Sequence, residues 1–219
     1  MTEINNYITN DFKPISSDKT IAEAQDFFAE VSFSHFPVIE EKVYMGCLAA
    51  DDIDTFDSDK KVADYKYTLE GFFARKKMIW LDVVEVFAKN HSNIVPVLDD
   101  DNTYLGYYEL EDIIKFFHET PFLREQGGII VVEKNIQEYS MSQVAQIVES
   151  NNGKLLGIFV SEANAEKVQI TIKIALGAMN DIIQTFRRYN YEIISEHHED
   201  SYINNLKERS EYLDKYLNI

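Results

Sequence analysis

The sequence predicts an α+β protein built in two parts. In the first part, two strand-helix-strand-strand-helix repeats pack as one pseudo-symmetric module. The second is a β-α-β-β-α-β unit followed by a C-terminal helix. Three observations lead there. A set of motifs in the first half recurs once, in the same order and at nearly constant spacing. The apolar pattern stops near Pro121 and restarts after Gly127-Gly128. Beyond that point alternating and helical periods succeed one another in the order just given.

His35-Phe36-Pro37-Val38-Ile39-Glu40 recurs as Ile94-Val95-Pro96-Val97-Leu98-Asp99. Tyr44-Met45-Gly46-Cys47-Leu48, followed by Asp52-Ile53, recurs as Tyr104-Leu105-Gly106-Tyr107-Tyr108, followed by Asp112-Ile113. The prolines are 59 residues apart and the glycines 60, so one inserted residue reconciles the copies. A helical pattern precedes each proline. Thr20-Ile21-Ala22-Glu23 spells a capping box, in which hydroxyl and carboxylate satisfy reciprocal orphan amides, and Ile21, Ala24 and Phe28 continue it. Trp80, Val83, Val84 and Phe87 fall at i, i+3, i+4 and i+7, one face of a helix. Each Pro-Val segment reads as a short strand, followed by a turn such as Asp99-Asp100-Asp101-Asn102. A second strand ends near the glycine, and a second helix opens at the aspartates.

This order, with the Pro-Val-Ile and Gly-x-Leu-x-x-x-Asp pieces, resembles the cystathionine-β-synthase-type (CBS) repeat. The resemblance covers residues 1–122, with repeat one at about 1–65 and repeat two at about 66–122. It implies a CBS pair and, with it, an adenosine-type ligand. In that family the strand-to-helix junction often reads Gly-x-x-Ser/Thr-x-x-Asp, the aspartate binding ribose hydroxyls and the hydroxyl residue a phosphate. Gly46 with Asp52, and Gly106 with Asp112, match the pattern, but the hydroxyl positions hold Ala49 and Glu109. Ala49 removes one hydrogen bond, about 0.5–1.5 kcal/mol net. Glu109 sets a carboxylate against the phosphate position. At ~4 Å and an effective dielectric of ~20 that repulsion is about 4 kcal/mol, roughly a thousandfold in affinity. The alternative reading of Asp52 and Asp112 is structural, since aspartate at a helix start is a favoured cap and dipole partner.

Pro121 is expected to end the second repeat, and Leu123-Arg124-Glu125-Gln126-Gly127-Gly128 to be the boundary. Ile129-Ile130-Val131-Val132 reads as a buried strand. Ser140-x-x-Gln143 reads as a capping box ahead of an apolar stripe at Met141, Val144, Ile147 and Val148. Asn152-Gly153 turns into a strand from Leu155 through Val160. Val168, Ile170, Ile172 and Ile174 alternate with polar residues, a half-buried strand. Met179, Ile182, Ile183 and Phe186 mark another helix, and Tyr191-Glu192-Ile193-Ile194 a last strand. This is the ferredoxin-like order. After a CBS pair it resembles an ACT domain, here residues 127–200, and the layout is similar to acetoin-utilisation-type CBS–ACT proteins. Amino-acid-binding ACT domains usually carry Asp and Gly at the first strand-to-helix turn. Here that turn lacks glycine, and Asn135, Gln137 and Ser140 are its best-placed polar groups. A domain used only for dimerisation is the alternative.

The tail, 201–219, spaces Ile203, Leu206, Ser210, Leu213 and Leu217 as a helix, docked on its own domain or forming a dimer seam. Glu196-His197-His198-Glu199-Asp200 contains metal-ligand residue types. Adjacent histidines on a strand point to opposite faces, so a solvated strand end is expected and no metal. The net charge of -17 disfavours nucleic acid and anionic membrane surfaces as partners. One cysteine, Cys47, excludes an internal disulfide. Neither a signal peptide nor ~18 consecutive apolar residues is visible, so a cytoplasmic protein is expected. No hydrolytic or redox constellation stands out, and His35 and His91 precede the core strands without a sequence-local nucleophile. The expectation is therefore a non-enzymatic, homodimeric regulator that senses an adenosine-type or other small-molecule effector, its regulated target unidentified. The alternative is an interaction protein with degenerate ligand sites.

Overall fold

A computed structural model describes residues 4–175, 177 and 179–195. The chain divides into two units, Met1–His118 and Glu119 onward. In the first, repeat one comprises β1 (Ile15–Ser16), α1 (Ile21–Glu30), β2 (His35–Glu40), β3 (Val43–Ala49) and α2 (Ala50–Ile53). Repeat two comprises β4 (Ala74–Arg75), α3 (Trp80–Asn90), β5 (Ile94–Leu98), β6 (Tyr104–Glu109) and α4 (Leu110–His118). Each forms a three-stranded sheet, β1-β2-β3 and β4-β5-β6. Proline is normally excluded from a central strand because it cannot donate to the ladder. Here β1 pairs only with Val38 and Ile39, and β4 only with Val97 and Leu98, so Pro37 and Pro96 lie beyond those short neighbours.

The inserted residue lies in the hairpin. Glu40 pairs with Val43 across Glu41 and Lys42, both at positive φ, a tight two-residue turn. In repeat two the Asp99 amide reaches the Thr103 carbonyl across Asp100, Asp101 and Asn102. The Asp99 carboxylate accepts from the amides of Asp101 and Thr103 and stabilises that longer loop. The predicted capping box of α1 is formed in both directions, Glu23 amide to Thr20 hydroxyl and Thr20 amide to Glu23 carboxylate.

The two repeats exchange core residues. Tyr107 and Ile94 of repeat two pack with Ile15, Ile21, Phe36 and Leu48 of repeat one. Reciprocally, Cys47 of repeat one packs with Val83, Phe87, Val95 and Ile113 of repeat two. Cys47 and Tyr107 are equivalent positions, each two residues before the junction residue Ala49 or Glu109. Each sheet thus turns one face to its own helices and the other across the module.

The second unit opens with α5 (Pro121–Arg124), then β7 (Gly127–Asn135), α6 (Met141–Ser150), β8 (Leu155–Ala163), β9 (Lys167–Ala175), α7 (Met179–Arg188) and β10 (Glu192–Ile193). The sheet order β10-β7-β9-β8, antiparallel throughout, is the ferredoxin-like arrangement. Ile130, Val132, Ile170 and Ile172 meet Val144, Ile147, Ile182 and Phe186 in its core. Pro121 starts α5, where a fixed φ and a missing amide suit the first helical turn. The division between units accordingly precedes the Leu123–Gly128 segment. Gly127 and Gly128 are already the first residues of β7. The tail helix 201–219 and the Glu196–Asp200 cluster lie outside the described residues.

Candidate functional site

The two strand-to-helix junctions are built alike. Gly46 and Gly106 sit buried mid-strand at φ +139° and +149°. Their reason is a close backbone approach. At Cys47, beside Gly46, the Glu70 amide and carbonyl pair with β3 at 2.9 and 2.8 Å; at Tyr107, beside Gly106, Thr9 pairs with β6 at 2.9 and 3.0 Å. A Cβ on Gly106 would stand 2.3 Å from the Thr9 carbonyl, and one on Gly46 2.8 Å from Leu69 Cβ. The segment leading into each repeat therefore pairs with the other repeat's strand. Single-residue bridges carry no periodicity, so nothing in the sequence pattern announced them.

The crossing segment at the second junction brings an acidic residue that sequence reasoning missed. Glu109 is half-buried, and burial, then Asp112, Asp11 and Glu111, hold its carboxyl above the usual carboxylate range. Lys115 is the opposing charge, and it is tied to Glu111 at 3.0 Å and Asp112 at 3.2 Å. Tyr107, fully buried, has no hydrogen-bond partner for its hydroxyl among the described residues, and burial pushes its pKa up. The Phe12 amide lies near that hydroxyl, outside hydrogen-bonding geometry. Asp112 is the third residue of α4 rather than its cap, and its carboxylate is engaged by Lys115.

At the first junction Ala49 is the helix cap of α2 and supplies no side-chain bond. Asp52 follows as its third residue and is exposed. The expectation that either aspartate is a cap is therefore corrected, because the backbone turns into each helix earlier. Beside Ala49, in register with it, stands His35, buried, with Nδ1 3.0 Å from Ser34 Oγ and Nε2 3.4 Å from a Glu70 carboxylate oxygen. Ser34 is in turn bound to Asn93, its equivalent in repeat two. Its amide and hydroxyl reach Asn93 Oδ1 at 2.9 and 3.1 Å, and the Asn93 amide returns to Ser34 Oγ at 3.0 Å. Both residues stand three before the Pro-Val proline, the one sequence signal that pairs them. A separate cleft, lined by Ser17, Val38, Glu40, Met45, Val62 and Lys66 among others, has a cavity volume of about 50 Å³, room for a few waters. Neither Asp52 nor Asp112 lines it.

In the second unit the candidate polar groups serve the local chain. Asn135 accepts the Gln137 amide at 2.9 Å, an Asx turn, and Ser140 caps α6 through the Gln143 amide at 3.4 Å. The Gln143 side chain does not complete the box. It accepts from Lys134 Nζ at 3.3 Å and from the Tyr191 hydroxyl at 3.1 Å instead. Gln137 is exposed. Among the described residues no three His, Cys, Asp or Glu side chains are grouped to hold a metal ion, and no helix is long and apolar enough to cross a membrane.

The CBS domain model matches residues 73–119, from the start of β4 through α4. Inosine-5'-monophosphate dehydrogenase of Methanocaldococcus jannaschii is 24% identical over 145 residues, which are 65% of this chain and 29% of that one. An uncharacterized protein of the same archaeon is 23% identical over 141 residues, 61% of this chain and 51% of that one. The chain thus spans about half or less of the curated relatives it matches. A solved CBS domain pair/ACT domain protein from Thermotoga maritima is 19% identical with a TM-score of 0.49, covering 54% of this chain and 98% of that one.

Proposed function

We infer that the chain is a ligand-responsive regulator whose CBS pair takes an adenosine-type metabolite carrying no phosphate. The observation that carries this reading is the second junction, where Asp11, Glu109, Glu111 and Asp112 face one lysine among the described residues. Such a wall repels phosphate and tolerates a neutral or cationic ligand. The family match on repeat two and the repeated element order support a CBS pair. In this reading the protein is a cytoplasmic homodimer without catalytic activity, of the acetoin-utilisation-type layout, and its second unit is an ACT-like module that pairs with a second copy. The rival reading, an interaction protein without a ligand, draws on Ala49 and on the small size of the cleft in repeat one.

Calorimetric titration of adenosine, AMP and ATP into wild type and Glu109→Thr separates the two. The reading expects adenosine to bind wild type, and AMP to gain at least about tenfold, 1.4 kcal/mol, in the variant while adenosine changes much less. Equal AMP affinity in both proteins would remove the electrostatic argument. No adenosine binding to either would leave the interaction-protein reading in the lead.

A further inference from the structure

The ferredoxin-like sheet turns one face to α6 and α7. Ile130, Val132, Ile170 and Ile172 pack on that side, so by strand alternation Ile129, Val131, Thr171 and Lys173 line the opposite face. Register sets this face in rows across the strands. One row runs Ile129, Lys173, Gly157, and the next Val131, Thr171, Phe159. Phe122 of α5 lies over Gly157, where a Cβ would stand 2.3 Å from its ring, and that ring is 6.0 Å from the ring of Phe159. Ile194, whose amide donates to the Val131 carbonyl at 2.9 Å, extends the second row to the sheet edge. Ile129, Phe159 and Ile194 are 44%, 47% and 42% exposed. The row beyond is polar, and there Glu133 accepts from both Lys167 and Gln169.

Lys173 is the one charged side chain in the two apolar rows. It is 8% exposed, yet its side chain has no hydrogen-bond or ion-pair partner among the described residues. Lysine is almost never buried to that extent unpaired, so an acidic group belongs over it. We propose that the chain's own tail, residues 196–219, covers this face and brings Lys173 its carboxylate. Ser195, the last described residue, accepts the Val131 amide through its hydroxyl at 3.0 Å, so the tail leaves from the end of the second apolar row. Ile203, Leu206, Leu213 and Leu217 share one face at 3.6 residues per turn. As a helix they would span about 21 Å, against roughly 14 Å across four strands. The connecting residues 196–202 reach up to about 23 Å, enough to carry that stripe back over the sheet. Charge complements shape: residues 196–219 hold six acidic side chains against three basic ones. A second copy fits worse. A symmetric contact would set the two apolar rows against themselves and bring Lys173 another ammonium rather than a carboxylate.

The test uses the full chain carrying Phe159→Cys, a thiol placed on the face, with the buried native Cys47 as the internal blank. Its rate of reaction with a thiol reagent is measured with the native tail and with Leu206→Glu and Leu213→Glu added, which spoil the apolar stripe. The tail substitutions should speed labelling by at least about tenfold, because the native tail must lift before the thiol is reached. With the native tail the rate should not depend on protein concentration. A rate that the tail substitutions leave unchanged would overturn the proposal. So would protection that disappears on dilution, which would make the occupant a second copy. Should the tail variant fail to fold, carbodiimide coupling of the unaltered chain decides, since that reagent joins an ammonium to a carboxylate in contact with it. Lys173 should be joined to an aspartate or glutamate of the tail within one chain. Absence of that link, or its formation only between isotopically distinct chains, would equally overturn the proposal.

Discussion

Replacing Gly106 by alanine tests the crossing strands directly. The new Cβ would lie 2.3 Å from the Thr9 carbonyl oxygen and 2.8 Å from Ile8 Cγ2, at a φ of +149°. The closest atom is backbone, so it cannot rotate away; Thr9 must retreat and release both hydrogen bonds to Tyr107. Holding a residue with a side chain at such a φ costs about 1–3 kcal/mol, and the two lost bonds add about 0.5–1.5 kcal/mol each. The expected loss is therefore about 2–6 kcal/mol, a large share of a domain's stability. Gly46→Ala should cost less, because its nearest contacts are Leu69 Cβ at 2.8 Å and the Glu70 carbonyl at 3.1 Å. Gly71→Ala, with nothing within 4 Å and no positive φ, is the control and should change stability by about 0.5 kcal/mol or less. Urea unfolding followed by fluorescence of Trp80, the chain's single tryptophan and a residue of the first unit, reads all three. A loss below about 1 kcal/mol for Gly106→Ala would mean that Thr9 yields freely and that the crossing strand does not hold the module together.

Two further expectations concern charge. Burial pushes the Cys47 thiol up to about 12, so at neutral pH a thiol reagent should fail to react with the folded chain and react fully once it is unfolded in denaturant; rapid labelling of native protein would contradict the buried placement. Glu109 has its pKa raised in the folded state, so whatever it contributes is present in acid and lost as pH rises through that raised value. Glu109→Gln should therefore raise Tm at neutral pH, by at most about 3 °C because solvent screens a half-exposed group, and the gain should vanish below the ordinary glutamate range.

The repeats were legible because each local signal agreed with the fold. The capping box at Thr20, the helical stripe from Trp80 to Phe87 and the one-residue difference between hairpins all reappear where periodicity and turn chemistry put them. What was not legible depended on tertiary approach. Gly46 and Gly106 read from sequence as part of a ligand-binding junction, yet their backbone is demanded by strands arriving from Glu70 and Thr9. Asp11 lies about a hundred residues from Glu109 in sequence and joins it only because Thr9 pairs with Tyr107. In sequence His35 lacks a nearby nucleophile of any recognisable motif, yet Ser34, its immediate neighbour, stands 3.0 Å from the ring because the chain bends into β2 between them. In the second unit, Asn135 and Ser140 are short polar side chains that bind the nearest backbone amide, which leaves them to the turn and the cap.

The module is symmetric in backbone and asymmetric in chemistry, and the asymmetry is concentrated where the repeats cross. Equivalent positions hold Ala49 and Glu109, His35 and Ile94, Cys47 and Tyr107. One junction therefore gathers four carboxylates around a single lysine, while the other holds a buried imidazole between Ser34 and Glu70. These two sites share elements. Glu109 lies on β6 two residues from Tyr107, which is packed in the core of repeat one, and His35 lies on β2 in the same sheet as Leu48 and Phe36 of that core. Interiors are close-packed, so a change that displaces β6 at Glu109 must move Tyr107 or the rings of Phe33 and Phe36 that it meets edge-on at 5.7 and 5.5 Å. Phe36 is the residue after His35. An occupant of the acidic junction would thus act, through a short run of packed aromatic rings, on the strand that carries His35 and follows Ser34, the residue hydrogen-bonded to Asn93.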